Sequence, residues 1–339
     1  MPAAAALAAR FRRRLWALAG ALLLITVASL LFGRYPGPYF TSLTELRADE
    51  LARSVVLNLR LPRVLSAVLL GMALAAAGAT FQMIFRNPLV DSGFLGVSQG
   101  AAFGASLAIV FLGGGAATVQ GCAALFASLG LAGSYFLAHR LRLGDWVLRL
   151  VMAGIGVSAL YASGTGIIKY LADPLKQLPD ITFWLLGGLW AITWPDVVQM
   201  APAVAVGLAV LVLMRWRLNL LSMRDETVYS LGVVPGRERM VMLVAAVAVT
   251  ATVVSKAGQI GWVGLIVPHI ARRLVGSDAQ RALPGSLLLG GIFVLACDNV
   301  ARTLLSGEIP LGILTSMVGA VFFFSMLLRN DPGIQRGKV

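Results

Sequence analysis

Histidine, cysteine and acid are scarce in this sequence: two His, two Cys and 15 Asp plus Glu among 339 residues. No G-x-x-x-x-G-K-[ST] occurs, so the chain has no phosphate-cradling loop and cannot hydrolyse ATP by that route. No H-E-x-x-H, serine-centred nucleophile motif or histidine cluster is present, which leaves an intramembrane enzyme without a catalytic constellation. His139 and His269 stand near the ends of apolar runs, and His269, after Pro268, reads as a structural hydrogen-bonding residue. Cys122 and Cys297 lie in apolar runs far apart, without metal-ligand spacing, and read as small core residues. The expectation is no metal, no cofactor and no catalytic residue. A polar linker and a soluble-domain pattern are also missing, so residues 1–339 read as one integral membrane domain.

What the chain has is apolar length. Apolar residues make up 58% and charged residues 13%, with mean hydropathy +0.85; a soluble domain averages roughly 45–50% and 25%. Ten apolar spans approach the ~20 residues a membrane helix needs: 15–33, 62–83, 94–112, 116–138, 147–168, 196–214, 240–256, 260–271, 283–304 and 310–328. The eighth is too short to cross alone and is expected to be extended by loop or partly re-entrant. The predicted class is all-α, with about ten transmembrane helices.

The net charge of +13 would suggest nucleic acid in a soluble protein. With both termini in the cytoplasm, however, 19 of the 28 Lys and Arg fall on the cytoplasmic side and nine outside. That obeys the positive-inside rule and needs no nucleic acid. Arg10, Arg12, Arg13 and Arg14 precede an apolar run of about 19 residues that continues into Phe32-Gly33-Arg34-Tyr35. This is longer than the 7–15 residues of a signal-peptide core, so the run reads as an uncleaved first helix.

Several local patterns carry more. Arg60-Leu61-Pro62-Arg63 opens the second span and Arg86-Asn87-Pro88-Leu89 closes it. Arginines at such a boundary stay hydrated; they either snorkel or receive carboxylates from outside the membrane. Gly71, Ala75 and Ala79 share one helix face, and Gly154, Ser158, Ala162 and Gly166 another; such small-xxx-small faces permit close helix approach. Outside, residues 174–190, with Phe183, Trp184 and Trp190, suit a short helix at the outer mouth. Inside, 215–239 is the longest cytoplasmic segment. There Ser222 and Asp225 have capping-box spacing and Gly232 can end the helix they open. Val228 and Leu231 suit a surface that docks another protein, against the plain alternative of a solvated loop helix.

Arg60-Leu61-Pro62-Arg63, Arg86-Asn87-Pro88-Leu89, Gly93 to Ala101 (GFLGVSQGA), Gly261 to His269 (GWVGLIVPH) and Glu308-Ile309-Pro310-Leu311-Gly312 together resemble the FecCD family. These are the membrane permeases of type II ABC importers for iron-siderophores, haem and cobalamin. The motifs run in family order over nearly the whole chain. The resemblance implies a ten-helix subunit that forms a homodimer in the bacterial inner membrane. Two separate ATPase subunits sit below and a periplasmic or lipoprotein substrate-binding protein above. It implies that Arg60, Arg63 and Arg302 receive glutamates of the binding protein. The cytoplasmic stretch with Asn219, Leu220, Ser222, Arg224, Asp225, Glu226, Leu231 and Gly232 would be the coupling segment held by the ATPase. The cobalamin permease has small hydroxyl residues at its cytoplasmic gate, where this chain has Val147 and Leu148, a bulkier apolar gate. Lys256 departs from the small or apolar residue expected there; it either snorkels or offers charge to an anionic substrate.

The expected function is therefore ATP-driven import of a metal chelate, with this chain as a non-catalytic membrane subunit that rocks its helices. A molybdate-type oxyanion is the alternative cargo within the family. An ion-coupled secondary transporter, with Lys256 and Asp298 as relays, is the rival class; the scarcity of buried acids and the coupling-like loop count against it.

Overall fold

A computed structural model describes the backbone of residues 2–35, 40–91, 93–142 and 144–328. Arg329, Arg336, Lys338 and the C-terminus, which entered the charge tally, lie outside the described residues. The chain is helical almost throughout: α1 Pro2–Leu31, α2 Leu43–Ala48, α3 Glu50–Val55, α4 Leu61–Ile84, α5 Val97–Phe111, α6 Ala116–Arg140, α7 Trp146–Leu171 and α8 Gln177–Leu186. Then follow α9 Trp194–Leu213, α10 Arg215–Leu221, α11 Asp225–Ser230, α12 Pro235–Ala257, α13 Val263–Val275, α14 Ala279–Thr303 and α15 Leu311–Leu328. Among the described residues, seven helices are long and apolar enough to cross a membrane. The shorter apolar helices α5 and α15 stand at two further expected spans, and α13 at the eighth.

The eighth span is short, as expected. α13 has 13 residues, about 20 Å at 1.5 Å per residue, against a hydrocarbon core of about 30 Å. Non-helical chain from Gly258 to Trp262 covers the remainder, with both of those residues at positive φ (71° and 70°). Such backbone is tolerated at membrane depth only when protein satisfies it. Here Gly258 N–H donates to the Val254 carbonyl (2.9 Å), the Trp262 carbonyl accepts from the Leu265 and Ile266 N–H groups (3.1 and 2.9 Å), and the Gln259 side chain braces the segment on the Ser98 carbonyl (2.9 Å).

α4 is the hub. It is apolar around most of its circumference and none of its residues is exposed, as a helix without a polar stripe must be in the middle of a bundle. Close approach depends on glycine. A Cβ on Gly71 would strike the Gly290 carbonyl of α14, and one on Gly78 the Gly264 carbonyl of α13. The face of Gly71, Ala75 and Ala79 therefore packs as expected. The second face packs only at Gly154, against the Phe94 carbonyl, while Ala162 and Gly166 are exposed on α7. Two buried hydroxyls bond one turn back along their own helices, Thr80 to Ala76 (2.9 Å) and Ser286 to Ala282 (2.7 Å), and Ser134 donates to the Leu95 carbonyl (2.9 Å). Hydroxyls can enter an apolar core this way without an orphaned polar atom. Cys297 is buried and Cys122 half-buried; both are free.

At its start α4 continues a wide π-type turn, Val56–Arg60, which joins it to α3. Pro62 has no N–H to close an α-turn there, and the preceding turn widens instead. That turn aims Arg60 inward. α2 opens with a capping box, Ser42 with Glu45, a signal that stands in the sequence beside the apolar runs.

Candidate functional site

The charged residues gather at the two ends of the bundle. One end, the arginine mouth, holds the starts of α4 and α9 and the ends of α12 and α14. The other carries α10 and α11.

At the mouth, Arg60, Arg63, Arg302 and Glu308 line one cavity of about 380 Å³, so the structure brings the three predicted arginines together. None is free. Arg60, 6% exposed, donates to the Leu30 and Tyr35 carbonyls (3.1 and 2.7 Å) and to Thr41 Oγ1 (2.9 Å). Arg63 donates through Nε to Asp298 Oδ1 (2.9 Å) and through Nη1 to both Glu308 oxygens (2.8 and 2.9 Å). Arg302 donates to the Ser29 carbonyl (2.5 Å) and to Asn299, with its Nε 3.6 Å from Asp298 Oδ2. Asp298 is fully buried between the two guanidiniums; Glu308, on the segment before α15, is 43% exposed. One carboxylate is thus locked in the scaffold and the other faces solvent. Plain snorkelling does not describe these arginines, because their guanidiniums are held inside.

Lys256 stands elsewhere at the same end and corrects the snorkelling reading. Its side chain is 8% exposed. Its three ammonium donors go to Asp196 Oδ1 (2.8 Å), Gln199 Oε1 (2.8 Å) and Gln120 Oε1. An ammonium in an apolar helix needs an opposite charge at its own depth; Asp196, the N-terminal capping partner of Thr193 on α9, supplies it. The cluster ties α6, α9 and α12. With every donor taken and the charge matched, Lys256 has little left for an anionic substrate.

At the opposite end, Asp225 is the centre. Arg239, 2% exposed, grips it through two bonds (Nη1 to Oδ2 2.9 Å, Nη2 to Oδ1 2.5 Å). Arg86, at φ 50°, lies 3.5 Å from the same carboxylate and donates to the Met223 carbonyl. The hydrogen bond from Arg239, with both guanidinium charges adding, holds the Asp225 carboxyl below the usual carboxylate range despite its partial burial. This overturns the expected capping box. Asp225 turns to Arg239 rather than to Ser222, whose hydroxyl donates instead to the Asn219 carbonyl (2.6 Å), and α11 starts without a side-chain cap. Gly232 does follow the helix end, at φ 76°.

The predicted coupling residues separate into two kinds. Asn219 faces inward: it donates to Asp278 Oδ1 (2.8 Å) and accepts from Ala279 N–H (2.8 Å), which fastens α10 to the start of α14. Leu220 is half-buried, and Val228, expected on the docking face, is fully buried. Ser222, Arg224, Glu226, Leu231 and Gly232 are exposed. With Met223, Tyr229 and Val234 they form an apolar surface edged by charge. Val147 lines a cavity of about 410 Å³ together with Arg86, Trp146, Asp225 and Arg239. Leu148, 46% exposed, points away from the core, its N–H capped by Asp145 (2.8 Å).

Sequence reasoning missed Asp196, Arg239 and the role of Glu308. The available signal was charge balance: each cation set in an apolar run requires an acid at the same depth. Among the described residues, no group of three or more His, Cys, Asp and Glu is placed to hold a metal ion.

Residues 21–329 match the FecCD transport family. A Helicobacter pylori protein named as an iron chelatin transport system permease is 40% identical, over 81% of this chain and 83% of its own. The molybdate import system permease protein MolB of Haemophilus influenzae is 35% identical, over 92% and 94%. The hemin transport system permease protein HmuU of Yersinia pestis is 35% identical, over 86% and 88%. Among solved structures, one described as a metal-chelate type ABC transporter in an inward-facing conformation superposes with a TM-score of 0.87 at 34% identity, covering 94% of this chain and 99% of that one.

Proposed function

This chain belongs to the FecCD transport family, and on that premise we propose that it is the membrane-spanning subunit of an ATP-binding-cassette importer that moves a metal chelate into the cell. The observation that carries the reading is the likeness, over 94% of the chain, to a metal-chelate type ABC transporter. ATP hydrolysis belongs to separate ATPase subunits, since the chain has no phosphate-cradling loop. The α10–α11 end faces the cytoplasm, because most of the basic residues gather at that end. The exposed apolar surface of Met223, Tyr229, Leu231 and Val234 is the ATPase contact. The exposed small residues Ala162 and Gly166 of α7 suit a second copy of the chain, with Val147 and Leu148 near the cytoplasmic gate.

At the outer mouth, docking of a substrate-binding protein proceeds by exchange. An incoming carboxylate competes with Glu308 for Arg63, while buried Asp298 keeps both arginines in place. Bidentate guanidinium–carboxylate bonding makes such an exchange specific. Reversing Arg63 or Arg302 to Glu would set a further carboxylate beside Asp298, so such variants report on folding rather than docking. A secondary-transport mechanism is disfavoured because Lys256 and Asp298, its candidate relays, are both held in ion pairs at one end.

The molybdate permease relative keeps an oxyanion as the alternative cargo. The complex of permease, ATPase and binding protein in proteoliposomes tests this with labelled iron-siderophore, haem and molybdate. The expected result is uptake of a chelate; accumulation of molybdate with neither chelate would move the assignment to the oxyanion.

A further inference from the structure

Arg239 is a buried cation at the cytoplasmic end whose position the proposed function leaves unused. It stands on the first turns of α12, 2% exposed. One side of its guanidinium is fastened to Asp225 at the start of α11. A second side faces the ring of Trp146, the guanidinium carbon 5.5 Å from the ring centroid. Trp146 is the first residue of α7 and the immediate neighbour of Val147. Arg86, from the turn after α4, approaches the same Asp225 carboxylate. One side chain thus joins a short surface helix to the first turn of a membrane helix. The joint borders a charged cavity of about 410 Å³ that Val147 also lines.

A long hydrocarbon stem with a planar charged fork suits this double task. The fork fixes two carboxylate oxygens at once, and its face lies against an aromatic ring. Lysine could supply the charge but neither the two-point grip nor the stack. A purely structural salt bridge would tie α11 to α12 alone; the contact with Trp146 extends the tie to α7. We propose that Arg239 is the positioning residue through which displacement of α11 reaches α7, so that ATP hydrolysis is converted into opening of the pathway at Val147. The inference rests on the reading of 215–239 as the ATPase contact.

The test uses the full complex in proteoliposomes and reads three quantities: ATPase retained on purification, ATP hydrolysed, and substrate transported per ATP. For Arg239→Gln the expected result is a retained ATPase that still hydrolyses ATP while transport per ATP falls about tenfold or more. Arg239→Lys should restore only part of it. Trp146→Leu, which leaves the Asp225 pair intact, should lower transport per ATP several-fold, and Trp146→Phe should recover most of the loss. An unchanged ratio in both Arg239→Gln and Trp146→Leu overturns the proposal. So does loss of the ATPase from Arg239→Gln, because Arg239 would then serve attachment. Should Arg239→Gln fail to fold, the Trp146 pair decides alone: an unchanged ratio in Trp146→Leu overturns the inference. The underlying reading is tested separately by scrambling Arg224–Leu231. Full retention of the ATPase in that variant would sink the coupling assignment, whatever Arg239 does.

Discussion

The two ends of the bundle use the same parts in opposite proportion. At the arginine mouth, Arg63 and Arg302 share a fully buried carboxylate, Asp298, and Arg63 also holds the exposed Glu308. At the α10–α11 end, Arg239 is buried but its ion-pair partner Asp225 is 46% exposed. In both places the cation sits on a long scaffold helix and an exposed acid sits on a short segment. The difference is redundancy. Loss of Glu308 leaves Arg63 paired with Asp298, whereas loss of Asp225 leaves Arg239 with an aromatic ring and no carboxylate among its described ion pairs. The arginine mouth can give up one carboxylate and keep another; the α10–α11 end holds Arg239 by a single one.

The largest effect is expected where one fully buried acid pairs with two cations. Asp298→Asn should destabilise the subunit by about 3–5 kcal/mol, the usual consequence of breaking a buried pair. Thermal unfolding in detergent would register it, and a near-parental midpoint would break the contrast at its outer half. Next is the third cluster, Lys256 with Asp196, which is closed on every side. Lys256→Gln should cost about 1–3 kcal/mol by leaving a carboxylate short of its cation. Adding Asp196→Asn should return part of that loss, although the α9 cap is then weakened. Strict additivity of the two would mean that the pair is not coupled.

Smaller again is Asp225→Asn. Its carboxylate is nearly half exposed, so solvent screening reduces the expected loss to about 1–2 kcal/mol. Protease sensitivity near Arg224–Leu231 should rise while the midpoint moves little. The smallest effect on stability, within about 0.5 kcal/mol, belongs to Glu308→Gln. That variant should nevertheless bind the substrate-binding protein several-fold more tightly, since the competitor for Arg63 is gone. Weaker binding would mean that Glu308 is itself a docking contact and that exchange does not occur.

What the sequence made legible follows the range of the forces involved. Hydropathy is local, so the ten spans could be placed from neighbouring residues alone. The shortness of the eighth, α13, and its extension by loop were legible in the same way, but the contact from the Gln259 side chain to the Ser98 carbonyl beside it was not. Positive charge at helix ends was legible for the same local reason. Ion pairs were not: Arg63 finds Asp298 across 235 positions and Lys256 finds Asp196 across 60. Asp225 is the instructive case. Three residues after Ser222 it has the spacing of a cap, a contribution of about 1 kcal/mol, but a buried guanidinium 14 positions on attracts it more strongly. A local pattern lost to a long-range charge.

These contrasts matter for transport only if energy enters at the α10–α11 end from a separate ATPase. The most direct measurement is substrate uptake into proteoliposomes carrying the complex, with ATP supplied on the α10–α11 side, compared with an imposed proton or sodium gradient and no nucleotide. The account predicts accumulation with ATP, none with a gradient alone, and none when the ATPase is omitted. Gradient-driven uptake by this subunit without its ATPase would contradict it.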